Sequence, residues 1–469
     1  MTNLNKAITE GWLYSLKGNP PSPASSPNYW APSPSTLITT SHPLTFTLGT
    51  GSQILTSTLV KCSSLTTHEL LLVTCFWAHS TSQQAISSLL LDLSSKGLSQ
   101  NRKIQVRICF SSRSIVQKLF QTGLLDGMIY PPEAWVGLGL PRPEDLRGLE
   151  MEIKSVFVRP FSVMHPKFIL VDRKLAFMPS CNVSWENWFE GCIEMQGGIT
   201  EKLFDFWVSF WAQGKTNLPA FPPQETSSPQ ESQSNLNQAP PPTSLIKQTS
   251  FPLPGTSQPL QTILLPSPHN RNPQFLIFTT PPPPPTPLNL FLLQAFNQAT
   301  SSVFIQTPNI TSPPVLSALR SALSRGVDVH LITSSRLMIL EQLVTAGTVT
   351  EFEMWRLRRW YRWLCGRFEK ERKRREDDVE NGRGRKLGGL RIGYFRPREG
   401  VQGEEEPVKS HLKLVIVDGE ITVLGSGNMD RASWYTSQEL GVAFFSKEMA
   451  SEIRRDVDVA LEGRVNYVC

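Results

Sequence analysis

Two short stretches of this 469-residue chain carry the same five polar residues in the same order. The first, HPKFILVDRKLAFMPSCN, contains His165, Lys167, Asp172, Ser180 and Asn182; the second, HLKLVIVDGEITVLGSGN, contains His411, Lys413, Asp418, Ser426 and Asn428. In both, Lys follows His by two positions, Asp by seven, Ser by fifteen and Asn by seventeen. If a position matches about one time in twenty, four such matches arise roughly once in 10^5 trials, and the chain offers only seven His. The alternative is a coincidence of polar residues at sheet edges, and the arithmetic leaves it little room. The residue types suit one chemistry. Two imidazoles can supply a nucleophile and an acid, while two ammonium groups and four neutral donors suit the non-bridging oxygens of a phosphodiester.

The spacing also says how the chain must hold them. His and Lys two apart on a strand face the same way. The apolar runs FILV and LVIV that follow predict a buried strand with polar groups at its N-terminal end. A short turn and a second strand then bring Ser-x-Asn back beside that His and Lys. Each stretch is thus half of a site, and two halves facing each other complete it.

The doubled pattern resembles the H-x-K-x4-D-x6-G-S-x-N motif of the phospholipase D superfamily. Pro179 departs from it, standing where Gly425 matches the usual Gly; lacking an N–H and fixing φ, it predicts a differently shaped first phosphate loop. The resemblance implies that His165 attacks phosphorus to form a phosphohistidine and that His411 protonates the leaving alcohol, although the symmetry of the motifs does not decide which His is the nucleophile. Lys167 and Lys413 join them as catalytic residues, Ser180, Asn182, Ser426 and Asn428 hold the phosphoryl oxygens, and no metal or other cofactor is required. Asp172 and Asp418 are assigned to structural support. The superfamily orients a catalytic His with an acid a little beyond the motif. Aligning NWFEGCIEMQGG with SWYTSQELGVAF through Trp188 and Trp434 assigns that role to Glu194 and Glu439, with Glu190 the alternative in the first copy.

The surrounding pattern repeats as well. ELLLVTCFWA (69–78), SQQAISSLLLDLSSKG (82–97) and KIQVRICFSSR (103–113) read as strand, helix ending in Gly, and strand. SSVFIQTPNIT (301–311), SPPVLSALRSALSRG (312–326) and VDVHLITSSR (327–336) read the same way, and each copy continues to an Arg-Pro strand, VFVRP (156–160) or GYFRP (393–397). Strands alternating with helices predict an α/β fold: two pseudo-symmetric phospholipase D-like α/β sandwich halves sharing one active site. Residues 1–45 are expected to be a poorly ordered N-terminal arm and 46–218 the first half. A Pro/Ser/Gln-rich linker over 219–262 and a second half over 263–469, with a basic aromatic insertion at 350–390, complete the chain.

Charge and composition narrow the function. Lys and Arg number 46 against 40 Asp and Glu, a net charge of +6. Trp355–Glu376 alone holds ten cations and three Glu, or +7, so the remainder sums to about −1. That balance disfavours a long nucleic-acid groove. The insertion interleaves Trp355, Trp360, Tyr361, Trp363 and Phe368 with arginines, which reads either as a helix on an anionic membrane or as a helix packed on its own domain. Seven Cys without a CxxC pair argue against a zinc site or disulfide framework. No secretory signal and no run of about 18 apolar residues stands out, so the expected location is intracellular, cytoplasmic or peripheral to an internal membrane. The expected function is a phospholipase D-type phosphodiesterase or phosphatidyltransferase acting on a glycerophospholipid, active as a monomer. A nuclease or nucleic-acid end-processing enzyme of the same superfamily, or a catalytically weakened binding protein, is the alternative.

Overall fold

The computed structural model describes residues 3–19, 33–114, 127–158, 162–212, 245–252, 255, 258–268, 282–376, 386–400 and 406–469. Helix α1 (Asn3–Gly18) comes first, then β1 (Ile38–Thr50) and α2 (Gly51–Leu65). The repeated unit follows as β2 (Glu69–Phe76), α3 (Thr81–Ser99) and β3 (Ile104–Ser112). After β4 (Met128–Tyr130), β5 (Leu149–Ser155) and the ribbon β6 (Phe157–Val158) with β7 (Ser162–Val163) come β8 (Phe168–Val171), β9 (Leu175–Pro179), β10 (Trp188–Gly197) and α4 (Gly198–Phe210).

The second half opens with β11 (Lys247–Ser250), β12 (Leu260–Ser267) and α5 (Pro287–Gln298). Its copy of the unit is β13 (Ser302–Gln306), α6 (Pro313–Arg325) and β14 (Asp328–Ser334). Two helices, α7 (Ile339–Ala346) and α8 (Thr350–Glu376), precede β15 (Leu390–Phe395) and β16 (Lys409–Ser410). Last come β17 (Leu414–Val417), β18 (Ile421–Gly425), α9 (Arg431–Tyr435), β19 (Glu439–Phe445), α10 (Lys447–Ala460) and β20 (Val465–Tyr467).

The two halves repeat one pairing scheme. β2, β3 and β5 run parallel, and β2 is flanked on its other edge by the antiparallel series β8, β9, β10. β13, β14 and β15 are likewise parallel, with β17, β18 and β19 following antiparallel. Strands such as β2 and β17 are buried along their length, as continuous apolar runs covered on both faces must be. β1 joins the halves into one sheet: one edge pairs with β10, the other with β11 and β12, and β12 continues to β19. One apolar core accordingly spans both halves, and a second fills the space around α2 and α3.

Several expectations need correction. The N-terminal arm is not disordered over 3–18: Ile8, Trp12 and Leu16 recur every four residues, make an apolar stripe and are buried. Trp12 lies edge-on to Phe291 and its Nε1 donates to the Pro287 carbonyl at 3.0 Å, so α1 is fastened to α5. The linker ends sooner than composition suggested, because 247–250 and 260–267 are strands on β1; residues 213–244 lie outside the described residues, as do 20–32 and Arg159–Pro160. Gly97 does not stop α3. A Cβ there would lie 2.4 Å from the Gly148 carbonyl, so the glycine permits close packing of the helix. Gly326, by contrast, ends α6 in the left-handed region at φ 98°, as its position predicted.

Candidate active site

His165 and Lys167 stand immediately before β8, and His411 and Lys413 immediately before β17. What joins them is a crossed exchange between halves. The His165 N–H donates to the Gln438 carbonyl at 2.9 Å, and the His411 N–H donates to the Phe189 carbonyl at 2.8 Å. Each acceptor is the residue just before a buried glutamate of the opposite half. His165 Nδ1 therefore meets Glu439 at 2.8 Å and His411 Nδ1 meets Glu190 at 2.7 Å. An ionised carboxylate only accepts, so each Nδ1 carries the proton and each Nε2 keeps its lone pair.

Glu190, and not Glu194, is the first-half partner. The residues opposite Pro179 and Gly425 in the sheet are Cys192 and Gly441, and the residues two before these are Glu190 and Glu439. Alignment through the tryptophans failed because the second half inserts α9 between the motif Asn and its acid. Glu194 lies deeper on β10, opposite Phe177, where it binds Lys61 at 2.8 Å and accepts from Thr45.

Ser180 donates to Glu190 and Ser426 to Glu439. Each hydroxyl also accepts a backbone N–H, from Gly191 at 3.0 Å or Leu440 at 3.1 Å. The two serines thus hold the carboxylates, and the expectation that their hydroxyls face phosphoryl oxygens is corrected: the single proton of each is already committed. Pro179 does not alter its loop either. The Ser180 N–H reaches the Gly191 carbonyl at 2.8 Å just as the Ser426 N–H reaches Leu440 at 2.9 Å.

Asn182 and Asn428 do face the cavity. Asn182 Oδ1 accepts from the Phe76 N–H at 3.3 Å, and Asn428 Nδ2 donates to Asp430 at 3.0 Å. Asp172 accepts from the backbone of Thr67, His68 and Glu69, and Asp418 from that of Thr300, Ser301 and Ser302. Both aspartates sit at positive φ in the turn after the motif strand and tie it to the start of the strand beside it in the sheet, β2 or β13.

Both lysines are buried, and Lys167 Nζ donates to the His165 carbonyl at 2.8 Å. Lys413 Nζ lies 2.8 Å from both ring nitrogens of His411 and donates to its carbonyl at 2.7 Å. Burial pulls the Lys413 ammonium down to about 7; Glu190 opposes this and Lys167 adds to it. Burial also holds both imidazoles below their ordinary value, against the pull of their glutamates. Burial would raise Glu190 and Glu439, but the facing His and the lysines outweigh it and keep both low. The resting site is therefore two neutral imidazoles on two carboxylates. His165, His411, Asn182, Asn428 and Glu439 line one cavity of about 550 Å³.

Comparison with known proteins bears on this geometry. Residues 292–459 match the family model described as cardiolipin synthase, PLD-like domain. This segment, about a third of the chain, is similar to a phospholipase D-like domain. It contains the whole second motif and Glu439, and the pairing scheme repeated in β2–β10 extends the likeness to the first half. No curated protein sequence matches the chain. Among solved structures, phosphatidylserine synthase from Haemophilus influenzae Rd KW20 superposes with a TM-score of 0.55 at 14% identity, covering 92% of this chain and 89% of that one. The phospholipase D family member Nuc from Salmonella typhimurium, at 17% identity, covers 39% of this chain and 91% of its own with a TM-score of 0.26. The likeness to the synthase shows that one fold runs through both halves, and the family match bears out the resemblance read from the second motif.

Proposed function

We propose that the chain is a phospholipase D-type phosphodiesterase or phosphatidyltransferase acting on the headgroup ester of a glycerophospholipid. The observation that carries this reading is the crossed pair of His–Glu contacts around one cavity. A phosphodiester seated between the imidazoles meets His165 Nε2 on one side and His411 on the other. Among the described residues no hydrogen bond occupies His165 Nε2, whereas Lys413 lies against both nitrogens of His411. This difference favours His165 as nucleophile.

In the proposed reaction His165 Nε2 attacks phosphorus as the bond to the leaving oxygen breaks, and Glu439 stabilises the imidazolium that develops. On substrate binding His411 takes up a second proton, at Nε2, from solvent, and as an imidazolium it gives that proton to the departing alkoxide. The substrate's negative charge assists by raising the His411 pKa from its resting position. The neutral His411 then takes a proton from water or an acceptor alcohol, whose oxygen attacks the phosphohistidine and releases His165. Asn182 and Asn428 face the phosphoryl oxygens, and the charges of Lys167 and Lys413 lie just behind them. Support for a lipid comes from the cavity wall, to which Met338, Leu340, Val344, Phe76 and Trp188 contribute apolar surface.

The test is to trap labelled substrate on the purified protein and map the adduct. An acid-labile, base-stable phosphoramidate on His165 is expected, accumulating in His411→Ala. Label on His411 would reverse the roles, and turnover with no label on either would rule out the covalent route. Phospholipids and single-stranded DNA, each assayed with and without EDTA, separate the lipid reading from the nuclease reading.

A further inference from the structure

Helix α7 is built inside out. Its one fully buried side chain is polar: Gln342 accepts from the Thr350 N–H and hydroxyl at 2.8 Å and donates to the Leu337 carbonyl at 2.6 Å. Its apolar side chains point outward instead, with Leu340 80% exposed, Val344 53% and Leu343 45%, and with Met338 and Ile339 nearly as open. An amphipathic helix ordinarily buries its apolar stripe, and a contiguous exposed one marks a contact surface. The polar clasp fixes this helix with its greasy face to the outside.

The place of α7 decides what it meets. Leu340 and Val344 line the same cavity as His165 and His411, so one flank of the helix is a wall of the site and the rest is its outer lip. Beside the same cavity, Trp185 is 65% exposed, packs edge-on to the cavity-lining Phe76 and precedes the cavity-lining Glu186. Tryptophan at an apolar–polar boundary is characteristic of membrane interfaces. Immediately after α7, helix α8 buries Met354 and Leu357 and exposes Arg359, Arg362 and Arg367, of which Arg359 lies over Trp355 and Arg367 over Trp363.

We infer that α7 is the membrane-entering element of the chain. Its Ile339, Leu340, Leu343 and Val344 dip into the headgroup–acyl boundary of an anionic phospholipid bilayer while the α8 cations rest on lipid phosphates. A headgroup ester then reaches the two histidines without its acyl chains leaving an apolar surface. This inference rests on the lipid reading above. A bilayer is favoured over a second copy of the chain because the apolar lip is continuous with the catalytic cavity and is followed by a cationic face suited to anionic headgroups.

The test uses the full chain and the double variant Ile339→Glu/Leu343→Glu, whose positions do not line the cavity. Sedimentation with phosphatidylcholine–phosphatidylglycerol vesicles at low and high salt is read beside turnover of a short-chain phosphatidylglycerol kept monomeric. The double variant should lose vesicle partitioning by about thirtyfold, including the part that survives high salt. Its turnover of the monomeric lipid should match wild type, and Ile339→Met/Leu343→Met should restore binding. Undiminished pelleting of the Glu variant overturns the inference and leaves the lipid reading standing. Equal loss of turnover on monomer and vesicle also overturns it, since α7 would then be only a wall of the site. A lipid-independent dimer abolished by the Glu substitutions, with vesicle binding intact, would assign the face to a second copy. Failure of the wild type to turn over the monomeric lipid removes the lipid reading, and the inference with it.

Discussion

Glu439, on the second half, grips Nδ1 of His165, on the first, at 2.8 Å across 274 positions of sequence. The reciprocal contact of Glu190 with His411 makes each half dependent on the other for the tautomer of its imidazole. Glu439→Gln should therefore lower kcat by roughly 10^2–10^4-fold with little change in the fold, since an amide can leave Nδ1 unprotonated and Nε2 without its lone pair. Glu194→Gln is the control. It should leave kcat within about twofold but cost about 1–3 kcal/mol of stability, because Lys61 and Thr45 lose their buried partner. Steady-state kinetics and thermal melts on the two variants decide between the glutamates.

The buried Lys413 gives the site a pH signature. Its ammonium, with a pKa near 7, loses charge as pH rises through neutrality, so kcat/KM should fall on the alkaline side far below the ordinary Lys range. In Lys413→Arg that limb should vanish, whatever the absolute rate, because a guanidinium does not titrate there. Stability runs the other way. The unfolded chain keeps this proton up to about 10.4, so between about 7 and that value it binds more protons than the folded one and Lys413 makes folding more favourable as pH rises. A kcat/KM profile flat through pH 8 in wild type would remove Lys413 from the phosphate-binding set.

Helix α1 braces the second motif from a distance. Trp12 packs on α5, and Leu288 of α5 lies against the Ser426–Asn428 loop, 3.0 Å from where a Cβ on Gly427 would stand. Trp12→Ala should cost about 3–5 kcal/mol. Denaturant titration measures it, and activity should disappear at the same midpoint as the fold.

Among the α8 cations, Arg356 is held by the buried Glu353 at 3.0 Å, whereas Arg367 pairs with the exposed Glu371, at 3.3 Å. Changing Arg359, Arg362 and Arg367 to Gln should remove about 3 kcal/mol of attraction to an anionic leaflet, roughly a hundredfold in partitioning. The loss should be seen at low salt and shrink at high salt. Wild-type protein that ignores anionic vesicles at low salt would leave α8 as a packed helix only.

Both motifs, their spacing and the repeated α/β unit were legible because the chemistry forces residue types and strand geometry forces their period. Glu190 was harder to read, since a short helix in one copy alone shifts the acid along the chain while leaving its place in the sheet unchanged. Counting back from the strand register, rather than aligning tryptophans, identifies it. The roles of Ser180 and Ser426 were hidden because a hydroxyl suits either a phosphate or a carboxylate, and only proximity to Glu190 and Glu439 decides. Helix α1 escaped notice because its stripe of Ile8, Trp12 and Leu16 is short and lies beside Pro- and Ser-rich sequence. α7 escaped because no hydrophobic pattern reveals which way a helix is turned.

Strand β1 has a consequence for the order of events in the cell. One of its edges is satisfied by β10, but the other waits for β11 and β12, whose residues are made some 200 positions later. A nascent chain that has already exposed the complete first motif carries an open sheet edge and a His165 without its glutamate. Under the proposed function it is catalytically silent until the segment containing Glu439 leaves the ribosome. On that proposal the order of synthesis itself keeps an unfinished chain inactive, and a chain truncated anywhere before β19 should be inert.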